Sequence, residues 1–470
     1  MKKIKKLLAL GTLIFFVLGS YTGCSNSSSG SGKTDKDPAE VVDDGSGDED
    51  TEDSDDEDGQ DEDDSGDDQE EEEKDKDEEN QLPEKPELSD LVPDAQDLGE
   101  YIAAEAIEKI DSMEGGNYAI KITGAITAED IENLNVVMYT KMDRLIALDL
   151  RDTTGLTKLD PWAFSSVDKY DDEGGVPLST LILPESITEI DYDCFRSCKT
   201  IKALIAPGVK TLRSYALADC KNLAIMKFAD IMDLLEESSI GWNDAITEIT
   251  LNAKHIGQRL VPGCEKLTKV IIGPDVEIME DGPFHEMDKV KEIKVAEGNT
   301  HFKDIDGLLY SADGTRFIKF PRAREEKEFT LPDEVTIIDS DAFAYTYLEK
   351  VTLPNVSKIS DCAFWASSIQ EVSIPKATEI GFGAFYVCGS LNKLTLPNTV
   401  TKIGSNAFLH TFNLKSFFIP STVTTIDYSA FYGWKNDQVI NCQAASKPEN
   451  WDDNWNKSCA CQINWGVNPE

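Results

Sequence analysis

Histidine is nearly missing from this 470-residue chain, which has four: His255, His285, His301 and His410. They stand in different segments with no Cys–His or Ser–His spacing between them, and no HExxH, GxSxG or phosphate-loop pattern is present. Each histidine therefore reads as a surface or loop residue, and no enzyme is expected. Basic charge is also scarce: 45 Lys and Arg face 89 Asp and Glu, for a net charge of −44. A nucleic-acid partner is excluded on that ground, because binding a phosphate backbone requires a clustered basic footprint. Long apolar runs are lacking too, and the stretch 7–18 is too short to span a bilayer comfortably. No cofactor is implied. A zinc site among the last three cysteines would want a fourth ligand, and no histidine is near them.

What the chain does have is a repeat. LNKLTLPNTVTKIGSNAFLHTFN, from Leu391, is followed by LKSFFIPSTVTTIDYSAFYGWKN, from Leu414. Both read Leu-x-x-Leu/Phe-x-Leu/Ile-Pro, then Val-Thr-x-Ile, then Ala-Phe, and a period near 23 residues is the mark of a solenoid. Leu394 and Leu396 alternate with Lys393 and Thr395, as in a short half-buried strand. Pro397 has no N–H to donate and closes that strand; Val400 and Ile403 supply a second apolar edge, and Ala407-Phe408 plugs the coil interior. One such coil cannot bury its apolar face alone, whereas coils stacked at about 4.8 Å share one core. The expected fold class is a β-rich solenoid of about 11 coils of 21–23 residues, with strands opening at Leu145, Leu178, Ile201, Leu223, Ile246, Leu267, Val290, Leu348, Ile369, Leu391 and Leu414. Between Leu223 and Gly263 the pattern falters: KFADIMDLLEESS lacks the proline and HIGQRLV lacks the Ala-Phe plug, so irregular coils are expected there.

The segments before the array are of three kinds. Lys2, Lys3, Lys5 and Lys6 precede the apolar run, as in a signal peptide over 1–23. Thr22, Gly23 and Cys24 resemble the lipobox of bacterial lipoproteins, although Tyr21 departs from the usual aliphatic residue. That resemblance implies cleavage before Cys24, lipidation of Cys24 and a membrane anchor made of several acyl chains. Residues 24–93 then form an acidic linker, with 28 acidic residues against three lysines between Asp35 and Glu79. It holds too few apolar residues to offset chain entropy, so it is expected to be a disordered, extended stalk reaching on the order of 200 Å. Any calcium it takes up would be loosely held, because no ordered loop presents ligands at fixed positions.

Residues 94–144 read as a small α/β cap. Leu98, Ile102, Ala106 and Ile110 share one helical face ending at Gly115-Gly116, YAIKITG alternates as a strand, and Thr127 with Asp130 imitates a capping box before IENLNVVMYTKM. The array spans 145–438 and carries two insertions. KYDDEGGV is polar and reads as a surface loop; a longer one at about 296–328 contains Asp313-Gly314, a hairpin signal. Asp304-x-Asp306-Gly307 does not complete a calcium loop, since position twelve is Thr315. Residues 439–470 form a C-terminal cap.

Ten cysteines in an exported chain raise the question of disulfides. Cys198, Cys220, Cys264 and Cys388 all fall three residues after the plug, which marks a recurrent buried slot and inert thiols. Cys442, Cys459 and Cys461 lie outside that register, where a bridge from Cys442 to one of the other two is the candidate pairing. For a partner, the middle residue of each Leu-x-Leu strand points away from the core. Most of that column is Thr, Ser or Lys, but it includes Ile182, Ile205, Ile271 and Phe418, with Ile225 beside Ile205. These five are the candidate partner-binding residues. The competing reading is that the N-terminal cap or the 169–176 loop folds over Ile182 and Ile205.

The array with its Ala-Phe plug, the GLLYSADGT insertion and the terminal KPENWDDNWNKSCACQINWG together resemble the BspA-type leucine-rich repeat proteins of bacteria, over roughly Leu145 to Gly466. The resemblance implies a leucine-rich repeat fold and a protein at the outer surface of the cell envelope. Its expected function is that of an adhesin-like module binding a host-matrix or bacterial surface protein. The alternative is an envelope scaffold binding another bacterial component, with an enzyme a distant third.

Overall fold

The computed structural model describes residues 83, 85–165 and 176–469. Cys24, nearly all of the acidic linker and all but the last residue of KYDDEGGV lie outside them. Within the described residues the repeat folds as its pattern dictates. A regular coil lays one strand on a first sheet face and a second strand, of two residues in most coils, on the other. On the first face, Lys350–Thr352, Glu371–Ser373 and Lys393–Leu394 pair in parallel, with Val351, Val372 and Leu394 aligned across the ladder. On the second face, Lys358–Ile359, Glu379–Ile380, Lys402–Ile403 and Thr425–Ile426 do the same, with the isoleucines aligned and fully buried. The array is therefore a parallel β-solenoid, and its repeat continues into the C-terminal cap, where Val439–Cys442 and Gln462–Trp465 extend the first-face ladder.

The plug phenylalanines make a column. Phe343, Phe364, Phe385, Phe408 and Phe431 stack face to face, with centroids 4.9, 5.1, 5.4 and 5.4 Å apart and interplanar angles of 15° or less. Stacking with ring centroids this close adds about 0.5–1.5 kcal/mol per pair beyond burial. The turn that presents each ring begins and ends on a left-handed residue, four positions apart: Asp193 and Ser197, Asp341 and Tyr345, Cys362 and Ala366, Asn406 and His410. Left-handed backbone at a non-glycine residue costs about 1–3 kcal/mol. It is held here by main-chain bonds between coils, such as Phe343 N–H to Ala363 O at 2.7 Å and Phe385 N–H to Ala407 O at 2.8 Å.

The slot after the plug is a donor position. Cys220 and Cys388 give their S–H to the carbonyls of Phe195 and Phe364 in the preceding coils, at 3.1 and 2.9 Å. Thr346 and Thr411 occupy the same place and donate to Phe343 O and Phe408 O, both at 2.9 Å. Cys194, Cys198, Cys220, Cys264, Cys388 and Cys442 are free and buried. Burial pushes the Cys198, Cys388 and Cys442 thiols up to about 12, which removes them from thiolate chemistry. The expected Cys442 bridge is corrected: Cys459 and Cys461 are bonded to each other. Cys442 instead points into the core from its strand, where its ladder partner is Trp465.

The N-terminal cap also differs from expectation in one half. Helix Ala103–Ser112 buries Ala106 and Ile110, and helix Ala128–Tyr139 starts at the Thr127–Asp130 capping box. Gln96–Ile102, read as the beginning of the first helix, is instead a strand parallel to Gly116–Ala125. Gly99 at φ 89° cannot sit in a helix, and a ladder partner supplies what the local helical pattern would have supplied. Ordered structure also begins before residue 94, with the short helix Leu88–Leu91 and an ion pair from Glu87 to Arg151 at 3.0 Å.

The insertion folds as two successive hairpins. Phe302–Ile305 pairs antiparallel with Leu308–Ser311 through a two-residue turn, Asp306 and Gly307, both at positive φ. Leu308–Ser311 then pairs with Arg316–Lys319 around Asp313-Gly314, as expected. Three hydrogen bonds, from Ser311 and Thr315, hold the Asp313 carboxyl down at about 2. Asp304, from the discounted calcium motif, has a structural role: its carboxylate accepts the Val295 N–H at 2.8 Å and so continues the ladder beyond Glu292–Val295. The apolar core divides into two clusters at this insertion.

Candidate recognition face

The outward column of the first sheet is where a partner would meet the array. From Lys227 to Phe418 it follows the sequence reading. Thr250, Thr330 and Thr395 are exposed, and Lys227, Ile271, Lys294, Thr352, Ser373 and Phe418 are half-buried. At the N-terminal end the column behaves differently. Ile182 and Ile205 lie opposite each other in the ladder, on the side away from the core, yet they are only 3% and 5% exposed. Thr180, Ala203, Ala147 and Asp149 beside them are equally buried. The expectation of an open apolar patch at Ile182 and Ile205 is therefore corrected. Ile225, in the next coil, is half-buried. Small side chains in the row Ala119, Ala147, Thr180 and Ala203 leave little between the backbone and whatever lies over it.

One cluster of titratable groups was not foreseen. His285, expected at the surface, is 2% exposed. Its ring nitrogens lie 3.3 Å from an Asp341 oxygen and 3.5 Å from a Glu286 oxygen, without good hydrogen-bond angles. The ring stacks on Trp365 at 5.2 Å and meets Tyr345 edge-on. Burial works to lower the imidazole pKa, but the two carboxylates outweigh it and the net movement is upward. Beside it the Lys319 ammonium donates to Asp341 O at 2.7 Å, and burial lowers it to about 8. The other histidines fit the sequence reading better: His301 is exposed, and His255 and His410 are half-buried. No group of three or more His, Cys, Asp or Glu residues among the described residues is arranged to hold a metal ion.

The model of the BspA type Leucine rich repeat region matches six copies, over residues 173–291 and 319–437, just over half of the chain. The chain belongs to the BspA-type leucine-rich repeat family. Residues 292–318, which separate the two matched blocks, hold most of the insertion, where the core also divides. Among solved structures, a leucine-rich repeat protein from Eubacterium ventriosum is similar at 17% identity, covering 67% of this chain and 90% of that one, with a TM-score of 0.52. A leucine rich cell surface protein from Faecalibacterium prausnitzii is 20% identical, covering 68% and 88%, with a TM-score of 0.48. The pneumococcal vaccine antigen PcpA is 16% identical, covering 75% and 95%, with a TM-score of 0.44. At such identities the likeness concerns the fold. No curated protein matches the chain.

Proposed function

We infer that this BspA-type chain is a protein-binding module displayed on the bacterial envelope, held by a lipid on Cys24 and raised on its acidic stalk. The observation that carries this reading is the outward column itself. A rigid parallel ladder presents a row of Thr, Ser and Lys side chains, interrupted by the half-buried Ile225, Ile271 and Phe418. A repeat array of this kind offers an extended surface for another polypeptide. The column contains no paired acid and base and no nucleophile beside a histidine, so the reading is of binding without catalysis. The export signal and the stalk support display on the outer surface, and the BspA-type resemblance supports a host-matrix or bacterial surface protein as ligand. The test has two parts. The purified protein is used to capture ligands from matrix and envelope fractions, and intact cells are treated with protease. Selective capture together with cleavage on intact cells supports the reading; an array protected until the envelope is opened overturns surface display.

A further inference from the structure

The first-face ladder is interrupted after Ile225–Lys227, after Glu292–Val295 and after Lys393–Leu394, and the first of these breaks opens a cavity. Strands run hydrogen-bonded from Gln96–Ile102 to Ile225–Lys227, and pairing resumes only at Glu248–Leu251. At the same level the second face is continuous, since Met232–Leu235 pairs with both Thr211–Leu212 and Ala253–Ile256. The solenoid is thus wedged open on one side only. The cause is the coil without a proline, whose chain runs on through Phe228, Ala229 and Asp230 instead of closing the strand, with Asp230 O tied to the Asn252 amide at 2.8 Å.

The wedge holds a cleft of about 300 Å³, lined by Ala224, Met226, Phe228, Met232, Ile246 and Ile249 among others. Met226 is the core-facing residue of its strand. Its counterparts Leu204 and Val270 are fully buried, whereas Met226 is half-buried and opens onto the cleft. The two strand edges beside it have no strand partner across the gap. Ile225 N–H bonds Lys202 O, and Lys227 O accepts from Ala206, so both face the preceding coil; Thr247 O and Leu251 O accept from Thr268 and Gly273 in the following coil. Alternate residues of a parallel strand bond to opposite neighbours. That leaves the main-chain groups of Met226 on one side, and of Glu248 and Thr250 on the other, turned toward the gap.

We propose that this cleft binds an extended polypeptide segment of a partner protein, which adds as a strand between Ile225–Lys227 and Glu248–Leu251 and places an aliphatic side chain among Met226, Phe228 and Ile249. An extended backbone carries donors and acceptors on both edges at the repeat these strands need, and strand addition draws its affinity from them. The apolar lining selects the inward side chain, and methionine adapts to its shape. The proposal rests on the protein-binding reading and gives it a site.

The probe is a fluorescent peptide copying residues 201–207, a segment that pairs on both edges within the array. It is titrated against the full chain by anisotropy, with amide hydrogen exchange read in parallel. Saturable binding, slowed exchange at Met226, Glu248 and Thr250, and at least a tenfold weakening in Met226→Glu would support the proposal. Met226 is already half-open, so this variant is expected to fold. Thr250→Pro, which removes a gap-facing N–H and leaves the ladder to Lys269–Ile272, should weaken binding similarly. Absence of saturable binding at roughly millimolar peptide, or binding indifferent to both substitutions, overturns it. Capture of envelope or matrix ligands that is unchanged in Met226→Glu would overturn this site while leaving the binding-module reading standing.

Discussion

Replacing Phe385 tests whether the phenylalanine column acts as a connected stack. Phe385 is fully buried and lies between Phe364 at 5.1 Å and Phe408 at 5.4 Å. Losing its apolar area at about 25 cal/mol per Å² costs about 3 kcal/mol. Two stacked contacts add about 1 kcal/mol each, so Phe385→Ala should destabilise by about 4–5 kcal/mol, at the upper end for core phenylalanines. The sharper quantity is the coupling. Phe385→Ala and Phe408→Ala combined should cost about 1 kcal/mol less than the sum of the singles, because the second loses a contact already gone. Phe343→Ala and Phe408→Ala lie three coils apart, roughly 14 Å, and should add within about 0.5 kcal/mol. Repeat arrays can melt locally, so denaturant unfolding should be accompanied by amide exchange across residues 380–431. Equal coupling for the adjacent and the distant pair, or single variants that unfold like the parent, would refute the stacked register.

Around His285 and Lys319, stability should depend on pH in two opposing steps. The raised His285 pKa contributes stability that is complete below about pH 6.5 and is lost as pH rises through the folded value, whereas the Lys319 penalty persists to about pH 8 and fades as pH rises toward 10.5. The melting temperature should therefore fall as pH rises above about 6.5 and recover as pH rises beyond about 8; His285→Gln should remove the fall and Lys319→Met the recovery, and a flat profile in the parent would refute the assignment. Peptide mapping without reduction should find Cys459 joined to Cys461, and Cys442→Ala should leave that link intact. Cys24→Ser should move the exported protein from the detergent phase to the aqueous phase, and unchanged partitioning would exclude lipidation at that residue.

Much of this molecule was legible as a sequence because its unit is local. Leu394 and Ile403 mark the two strands of a coil, Ala407-Phe408 marks the plug, Thr127 with Asp130 marks a helix start, and Asp313-Gly314 marks a hairpin; each signal lies within a few residues of the structure it specifies. The recurrent cysteine slot was visible for the same reason, although its role as a donor to the plug carbonyl needed the neighbouring coil. The half-exposed Met226 had a sequence signal in the missing proline, but not its consequence. What only tertiary structure decided were matters of distant partners. Gln96–Ile102 became a strand because Gly116–Ala125 stands beside it, and Ile182 and Ile205 point away from the core yet are buried. His285 is buried among residues more than fifty positions later, with Asp341 3.3 Å from its ring and Tyr345 and Trp365 packed against it. Periodicity records which way a side chain faces within its coil; whether that face meets water, a carboxylate or an open cleft depends on chain far away in sequence, and the repeat carries no record of it.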